Sequence, residues 1–258
     1  MTVTAELDHA LAVVLDPPQP YHPAIATDAD GTLWAMDVGD ALFLTVAERD
    51  GFVGDGLEKL RAHGAKWIGD ECAGWSGGRI AKRLFEMYDR GDIGVRVMCD
   101  LEAETVADRS TSEFDLLLEE IAERAARAVR TEVRAFVQEA HRRGVHVHVV
   151  SGSLGSLVER SLLRAEIPAD RVSGAVLAHE GDRVRAVIAE TSPLFEGKVD
   201  ALRAGGQWPA AVGMGDGGWD HTFLKACRVP VLVHPKPALV EAMRGVEGCV
   251  LLGGRSPT

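Results

Sequence analysis

Short apolar segments alternate with amphipathic helical patterns through the second half of this 258-residue chain. The run Val145–Val150 is rich in β-branched residues, and apolar runs at 210–212, 230–233 and 250–252 follow it. An earlier apolar run, Ala24 to Thr27, enters a glycine-containing loop. Strands that alternate with helices are typical of parallel sheets covered by helices on both faces. The sequence therefore predicts an α/β fold with a doubly wound, mainly parallel, Rossmann-like sheet.

The stretch between the first two predicted strands is far longer than a crossover connection needs. Its apolar residues recur mostly at helical spacing, and no clear alternating strand pattern interrupts them. We therefore expect an inserted α-helical cap domain at about 37–130, with a discontinuous α/β core formed by 1–36 and 131–258. Two valine-rich arms within 172–189 predict a β-hairpin.

Composition and charge narrow the classes of partner. The net charge of −11 would repel a polyanion, so we expect neither nucleic acid nor an anionic membrane surface as a partner. The four cysteines are scattered without metal-ligand or redox spacing, which favours reduced thiols. Neither a leader pattern nor an apolar run of membrane-spanning length is present, so a soluble, cytoplasmic protein is expected. The sequence carries no signal of the oligomeric state.

Polar residues follow several of the predicted strands. Asp28 and Asp30 come after the first strand and Ser151 after the second, while Lys198 starts a helix and Asp216 follows a later strand. Ligands of such sheets bind beyond the carboxyl ends of the strands. We therefore expect these side chains to meet in one site.

This set of residues suits phosphoryl transfer. A carboxylate at Asp28 could attack phosphorus and form an aspartyl phosphate, and Asp30 could protonate the leaving alcohol and later deprotonate water. Magnesium prefers oxygen ligands, which Asp28, Asp216 and the Asp30 backbone carbonyl would supply. Lys198 would stabilise developing negative charge, and the Ser151 hydroxyl with adjacent N–H groups would bind phosphoryl oxygens.

The same residues resemble the four motifs of the haloacid-dehalogenase-like superfamily, and the resemblance covers nearly the whole chain. The matching segments are Asp28-Ala29-Asp30-Gly31-Thr32-Leu33, Val150-Ser151-Gly152, Gly197-Lys198 and Gly215-Asp216-Gly217-Gly218-Trp219-Asp220. The resemblance implies a magnesium-dependent phosphatase that acts on a small phosphorylated metabolite. The roles it implies are Asp28 as nucleophile, Asp30 as acid and base, Ser151, Gly152 and Lys198 as phosphate binders, Asp28, Asp30 and Asp216 as magnesium ligands, and Thr32 and Asp220 as supporting residues.

Within that superfamily, the inserted helices resemble the cap of phosphoserine-phosphatase-like members. Asp37 falls where phosphoserine phosphatases carry a glutamate that contacts the substrate's amino group. Asp37 and Asp40 are therefore the predicted specificity residues, with phosphoserine or another amino-alcohol phosphate as the predicted substrate. The chain departs from the subgroup at Gly31, where serine is usual, and at Trp219, where a small or amide residue is usual.

Other interpretations remain open. A phosphotransferase or mutase would use the same aspartyl phosphate, and a non-catalytic binding protein could keep the fold. Ser151 could be a helix N-cap. His146 and His148 could form a metal pair, although packed histidines are favoured because no third ligand is evident.

Residues of the predicted cap gave two further expectations. Trp34, Arg79 and Arg83 are candidates for substrate contact, but a surface or packing role is favoured for each of them. The acidic group Asp100, Glu102 and Glu104 is expected in a solvated loop.

Overall fold

The computed structural model describes residues 4–253, and its centre is one mixed β-sheet. The sheet runs in the spatial order β2-β5-β4-β3-β1-β6-β7-β8. Its strands are β1 (His22–Thr27), β2 (Arg109–Ser110), β3 (His146–Leu154), β4 (Arg171–Glu180), β5 (Arg183–Glu190), β6 (Ala210–Gly215), β7 (Val229–Val233) and β8 (Val250–Leu252). Strands β4, β3, β1, β6, β7 and β8 are parallel, and only the pairings of β5 with β4 and β2 are antiparallel. The predicted α/β fold with a mainly parallel sheet is confirmed.

Helices cover this sheet and fill the long connection after β1. The α-helices in the described part of the chain are α1 (Ala5–Leu15), α2 (Val38–Glu48), α3 (Gly54–Trp67), α4 (Gly77–Asp89), α5 (Val95–Thr105), α6 (Thr111–Arg127), α7 (Thr131–Arg142), α8 (Gly155–Arg164), α9 (Glu196–Ala204), α10 (His221–Ala226) and α11 (Pro237–Ala242). None of the described helices is long and apolar enough to cross a membrane.

The central strand β1 shows why the sheet is buried on both faces. Ile25 belongs to one apolar cluster, whereas Ala24 and Ala26 belong to a second. Successive side chains of a strand point to opposite faces, so the two clusters lie on the two sides of the sheet. Strand β1 pairs with β3 on one side and β6 on the other. The carboxyl ends of these three strands therefore meet at one edge.

Six α-helices, α2 to α7, lie between β1 and β3, and the first five of them, α2 to α6, form the inserted helices. Phe43, Leu60 and Leu84 from three of these helices are buried in the apolar cluster that also contains Ile25. The segment also includes β2, which pairs with β5 and which the sequence pattern did not predict. A two-residue strand is too short to show alternation, and its pairing is set by a partner distant in the chain. The boundaries of the predicted cap at 37–130 remain a prediction.

Strands β4 and β5 form the predicted hairpin. The first half of β4 is parallel to β3, and its second half is antiparallel to β5. The hairpin thus extends the sheet towards the inserted helices, where β5 pairs with β2.

One local expectation was wrong, and one alternative that the sequence left open is excluded. The acidic group Asp100, Glu102 and Glu104 lies within α5 and not in a solvated loop. Strand β3 continues through Ser151 to Leu154, and α8 begins only at Gly155 with Leu154 as its N-cap. Ser151 is therefore a strand residue and not a helix N-cap.

Candidate active site

Three carboxylates from two strand ends meet beneath the edge of the sheet. One oxygen from each of Asp28, Asp216 and Asp220 lies within 4.8 Å of the others, and all three residues are buried. Asp28 directly follows β1, whereas Asp216 directly follows β6. Adjacent parallel strands bring their carboxyl ends together, which accounts for the meeting of residues so distant in sequence.

Lys198 supplies positive charge to this acidic group. Its ammonium Nζ donates to Asp28 Oδ1 and to Asp220 Oδ1, both at 2.6 Å. Its side chain is only 1% exposed, so these two ion pairs are shielded from water. Burial alone would lower the pKa of Lys198, but Asp220 and Asp28 outweigh it and raise that pKa. The lysine therefore stays protonated inside the protein.

Asp28 is held in a fixed orientation. Its Oδ1 accepts from Lys198, and its Oδ2 accepts from the Thr32 hydroxyl at 3.1 Å. Burial raises the pKa of Asp28 well above its usual range, and the nearby Asp220 carboxylate adds to this effect, while Lys198 opposes it. A cation beside Asp28 would favour its ionised, nucleophilic form.

Asp220 organises the turn after β6. Its Oδ2 accepts from the backbone N–H of Gly217 at 2.9 Å and of Asp216 at 3.2 Å, while Oδ1 accepts from Lys198. One carboxylate thus fixes both the lysine and the loop that carries Asp216. This arrangement corresponds to the supporting role predicted for Asp220.

The donor set fits a small divalent cation. Magnesium binds carboxylate and carbonyl oxygens, and the three carboxyl groups outnumber the two lysines, Lys198 and Lys236, that pair with them. Gly31 leaves the room that this arrangement needs, because a Cβ there would lie 2.0 Å from Asp216 Oδ2. The Asp30 side chain does not belong to the three-carboxylate group, so only its backbone carbonyl could act as the predicted ligand.

Asp30 is oriented by four hydrogen bonds. Its Oδ1 accepts from the Trp34 indole N–H and the Val38 backbone N–H, each at 2.9 Å. Its Oδ2 accepts from the hydroxyls of Ser151 and Ser153 at 3.0 and 2.8 Å. Val38 is the first residue of α2, so this carboxylate also ties the start of the inserted helices to the loop after β1.

Ser151 lies behind Asp30 and is fully buried. Its hydroxyl donates to Asp30, and its oxygen accepts from the Ser153 N–H at 3.0 Å. Gly152 lines the cavity above, where a Cβ would lie 3.1 Å from Leu194. The phosphate-binding roles of Ser151 and Gly152 remain predictions.

A cavity of about 50 Å³ opens above these groups. Its walls come from both the sheet edge and the inserted helices. The lining residues are Asp28, Asp30, Asp37, Asp40, Tyr88, Val95, Met98, Cys99, Glu102, Gly152, Ser153, Leu194, Lys198, Trp219 and Lys236. Both predicted specificity residues, Asp37 and Asp40, are therefore in the wall of this cavity.

Sequence reasoning missed Glu102 and Lys236. The side of α5 that faces the cavity carries residues at helical spacing, namely Val95, Met98, Cys99 and Glu102. Had this helix been predicted from the sequence, that spacing would have placed Glu102 on the same side as its apolar residues. Lys236 Nζ lies 3.0 Å from Asp216 Oδ2 and follows the end of β7, so the strand-end rule applies to it as well.

The other candidate residues lie elsewhere. Trp34 is fully buried, and its indole N–H donates to Asp30. Arg79 and Arg83 line a separate surface cavity beside Trp75. His148 hydrogen-bonds to Ser173 at 2.9 Å and takes no part in the carboxylate group.

The fold and the buried carboxylate–lysine group define an α/β enzyme with its site at the carboxyl edge of the sheet. The family model for haloacid dehalogenase-like hydrolases matches residues 25–225. The chain belongs to that family, and the prediction of an enzyme of this superfamily is confirmed. No curated protein matches the sequence.

Solved structures share the fold at low sequence identity. A protein of unknown function from Bordetella pertussis Tohama I has a TM-score of 0.68 and 17% identity, covering 89% of this chain and 97% of that one. A probable phosphoserine phosphatase from Vibrio cholerae has a TM-score of 0.59 and 17% identity, covering 88% and 59%. A substrate-bound phosphoserine phosphatase has a TM-score of 0.53 and 14% identity, covering 93% and 96%. At these identities the likeness establishes the fold alone.

Proposed function

We propose that this protein is a magnesium-dependent phosphatase that hydrolyses a small phosphomonoester through an aspartyl phosphate on Asp28. The observation that carries the proposal is the contact of Lys198 Nζ with both Asp28 and Asp220 at 2.6 Å, beside a third carboxylate. A carboxylate that is buried, fixed and paired with a lysine suits nucleophilic attack on an anionic ester. The name of the Vibrio structural neighbour, a probable phosphoserine phosphatase, agrees with this class of reaction.

In the first step, a carboxylate oxygen of Asp28 attacks phosphorus as the bond to the alcohol oxygen breaks. Asp30 donates a proton to that leaving oxygen. In the second step, water gives a proton to Asp30 and attacks the phosphorus, which restores Asp28 and releases inorganic phosphate. Lys198 and, in its predicted role, Ser151 stabilise the negative charge of the phosphoryl group.

The contacts of Asp30 indicate which of its oxygens carries the proton. The indole and backbone N–H groups at Oδ1 can only donate, so a proton on that oxygen would have no acceptor. The two serine hydroxyls at Oδ2 can either donate or accept. We therefore assign the transferred proton to Oδ2.

Bound magnesium would neutralise the carboxylates and polarise the phosphoryl group. Asp28, Asp216 and the Asp30 carbonyl would hold it, with Asp220 as a supporting residue. The inserted helices would exclude water from the first step through the link between Asp30 and the start of α2.

The test is inorganic phosphate release from a panel of small phosphomonoesters, with magnesium and with a chelator. We expect magnesium-dependent turnover by the wild type and a loss of at least about 1000-fold in kcat for Asp28→Asn. Asp200→Asn, on the exposed face of α9, removes one carboxylate elsewhere and should leave kcat unchanged.

Two outcomes would contradict the proposal. Magnesium-dependent transfer of phosphate to an alcohol acceptor, without net release by water, would identify a phosphotransferase or mutase. The absence of turnover across the panel would instead favour a non-catalytic binding protein.

The predicted substrate bears an amino group, as in phosphoserine or another amino-alcohol phosphate. The presence of Asp37 and Asp40 in the cavity wall supports this prediction.

A further inference from the structure

Three of the carboxylates that line the cavity, Asp37, Asp40 and Glu102, are here called the acidic wall. Asp37 caps α2 by accepting from the Asp40 N–H at 3.0 Å, and Glu102 faces them from α5. Glu102 Oε2 and Asp37 Oδ1 lie within 3.3 Å of the same point, the position of a Cβ built on Gly39. Acidic side chains from the start of α2 and from α5, two helices distant in sequence, thus lie close together.

Among the described residues, no basic side chain forms an ion pair with the acidic wall, although the charge of Lys236 acts on Asp37 and Asp40 from a distance. Oε1 of Glu102 is buried and accepts no hydrogen bond. Burial raises the pKa of Glu102 well above its usual range, and the nearby Asp40 and Asp37 raise it further. Burial likewise raises the pKa of Asp37 and of Asp40. Carboxylates gathered in this way favour a cationic ligand, because it would relieve both their repulsion and their loss of hydration.

The cations that line the cavity form ion pairs with carboxylates that are not part of the acidic wall. Among the described lining residues they are Lys198, paired with Asp28 and Asp220, and Lys236, paired with Asp216. No arginine is among them. A carboxylate on the substrate would therefore meet the acidic wall without a free cation to pair with, and like charges in an enclosed site repel strongly.

We propose that the acidic wall binds a primary ammonium group on the substrate's alcohol, and that the preferred substrate is the phosphate ester of a small amino alcohol without a carboxylate. The proposal rests on the proposed phosphatase function and narrows it. It counts phosphoserine among the poorer substrates, because its carboxylate would approach Asp37, Asp40 and Glu102.

The chemistry of the wall matches a primary ammonium in particular. Such a group has three N–H donors, and three carboxylates supply an acceptor for each. A quaternary ammonium carries the same charge but cannot donate a hydrogen bond.

The substrate comparison uses four small phosphate esters, of which ethanolamine phosphate and propyl phosphate match in size. Ethanolamine phosphate carries the ammonium, propyl phosphate is its neutral counterpart, phosphoserine adds a carboxylate, and phosphocholine replaces the N–H donors with methyl groups. We expect kcat/KM for ethanolamine phosphate to exceed that of each of the other three by about tenfold or more. Equal values for ethanolamine and propyl phosphate, or higher values for phosphoserine or phosphocholine, would overturn the inference.

The variant comparison assigns the preference to the wall. Glu102→Gln keeps the size of the side chain and removes its charge, so kcat/KM for ethanolamine phosphate should fall about tenfold while that for propyl phosphate stays the same. Asp37→Asn and Asp40→Asn should act in the same direction. Glu104→Gln is the matched control, because Glu104 lies on the same helix but pairs with Lys59 at 2.5 Å outside the cavity. The inference fails if Glu102→Gln leaves the ratio of the two substrates unchanged.

A binding measurement separates this inference from the proposed function. Calorimetric titration of the Asp28→Asn variant compares ethanolamine phosphate with propyl phosphate without turnover. Tighter binding of the amine, abolished by adding Glu102→Gln, would support the acidic wall even if the wild type hydrolysed nothing. Hydrolysis of the whole panel with equal binding of both esters would retain the phosphatase and overturn the amine preference.

Discussion

At the scale of single residues, the contacts of Lys198 determine how positive and negative charge are balanced in the candidate site. A lysine ammonium that is removed from water is stable only beside negative charge, and Asp28 and Asp220 provide it at 2.6 Å. Asp28 and Asp220 are also buried, so the ammonium of Lys198 in turn stabilises the negative charge of each carboxylate. The three side chains therefore stabilise the fold and the site together.

Replacement of this lysine should affect both properties. Lys198→Met keeps the approximate length of the side chain and removes its charge, which leaves two buried carboxylates facing each other. We expect the free energy of unfolding to fall by about 3 kcal/mol in a chelator, with loss of turnover. Added magnesium should recover part of the stability if the three carboxylates bind it.

Urea denaturation with and without magnesium measures this effect. Lys225→Met, on the exposed side of α10, is the control and should leave the unfolding midpoint in place. An unaltered midpoint for Lys198→Met would contradict the energetic role assigned to the two ion pairs.

At the scale of secondary-structure elements, one carboxylate, Asp108, links an inserted helix to a strand of the sheet. Asp108, between α5 and β2, accepts from the Asp55 N–H at 2.8 Å and so caps the first turn of α3 from 53 residues away. The cap position of that helix is Val53, whose side chain makes no such bond. Asp108 also pairs with Arg183 and Arg185 on β5, at 3.3 and 3.2 Å.

Loss of this carboxylate should loosen a helix and a strand at once. We expect Asp108→Ala to lower the free energy of unfolding by about 2 kcal/mol, because it removes charge-assisted hydrogen bonds at a site that is 6% exposed. Asp108 also has a φ of +59°, which asparagine tolerates better than alanine does. Asp108→Asn should therefore lose less, and urea denaturation of the two variants would show the reverse order if the interpretation were wrong.

At the scale of the whole molecule, one buried histidine connects stability to pH. His148, on the central part of the sheet, is 4% exposed and packs close to Gly205 at the end of α9. Burial lowers the pKa of His148 to about 4, and the charge of Arg171 adds to the effect. In the unfolded chain the pKa of a histidine is about 6.5.

The sign of the pH dependence follows from these two values. Between about pH 6.5 and pH 4 the unfolded state holds a proton on His148 that the folded state does not, so stability falls as the pH falls. The loss over this range should reach about 3 kcal/mol. His148→Asn removes the titrating group and should flatten the curve of unfolding free energy against pH, measured by urea denaturation at several pH values. A parallel curve for the variant would show that other groups carry the dependence.

The carboxylates Asp28 and Asp216 were predictable from the sequence because they directly follow strands, and Ser151 because it follows the apolar first part of β3. Asp28, Ser151 and Asp216 stand after β-branched or apolar runs, and neighbouring parallel strands must bring such positions together. The alternation of strand and helix patterns likewise determined the class of fold. In both cases the signal is local, since it depends on periodicity and on what comes next in the chain.

The tertiary structure alone decided the details of the cavity. Glu102 looked like part of a solvated acidic loop because charge alone does not reveal which side of a helix a neighbour will cover. Ser153 orients Asp30 only because β3 lies next to β1, and β2 exists only because β5 pairs with it. Local sequence patterns determined which helices and strands form and where the polar residues at their ends lie. Contacts between distant segments determined which charged side chains face one another, because those contacts depend on tertiary packing that no local pattern records.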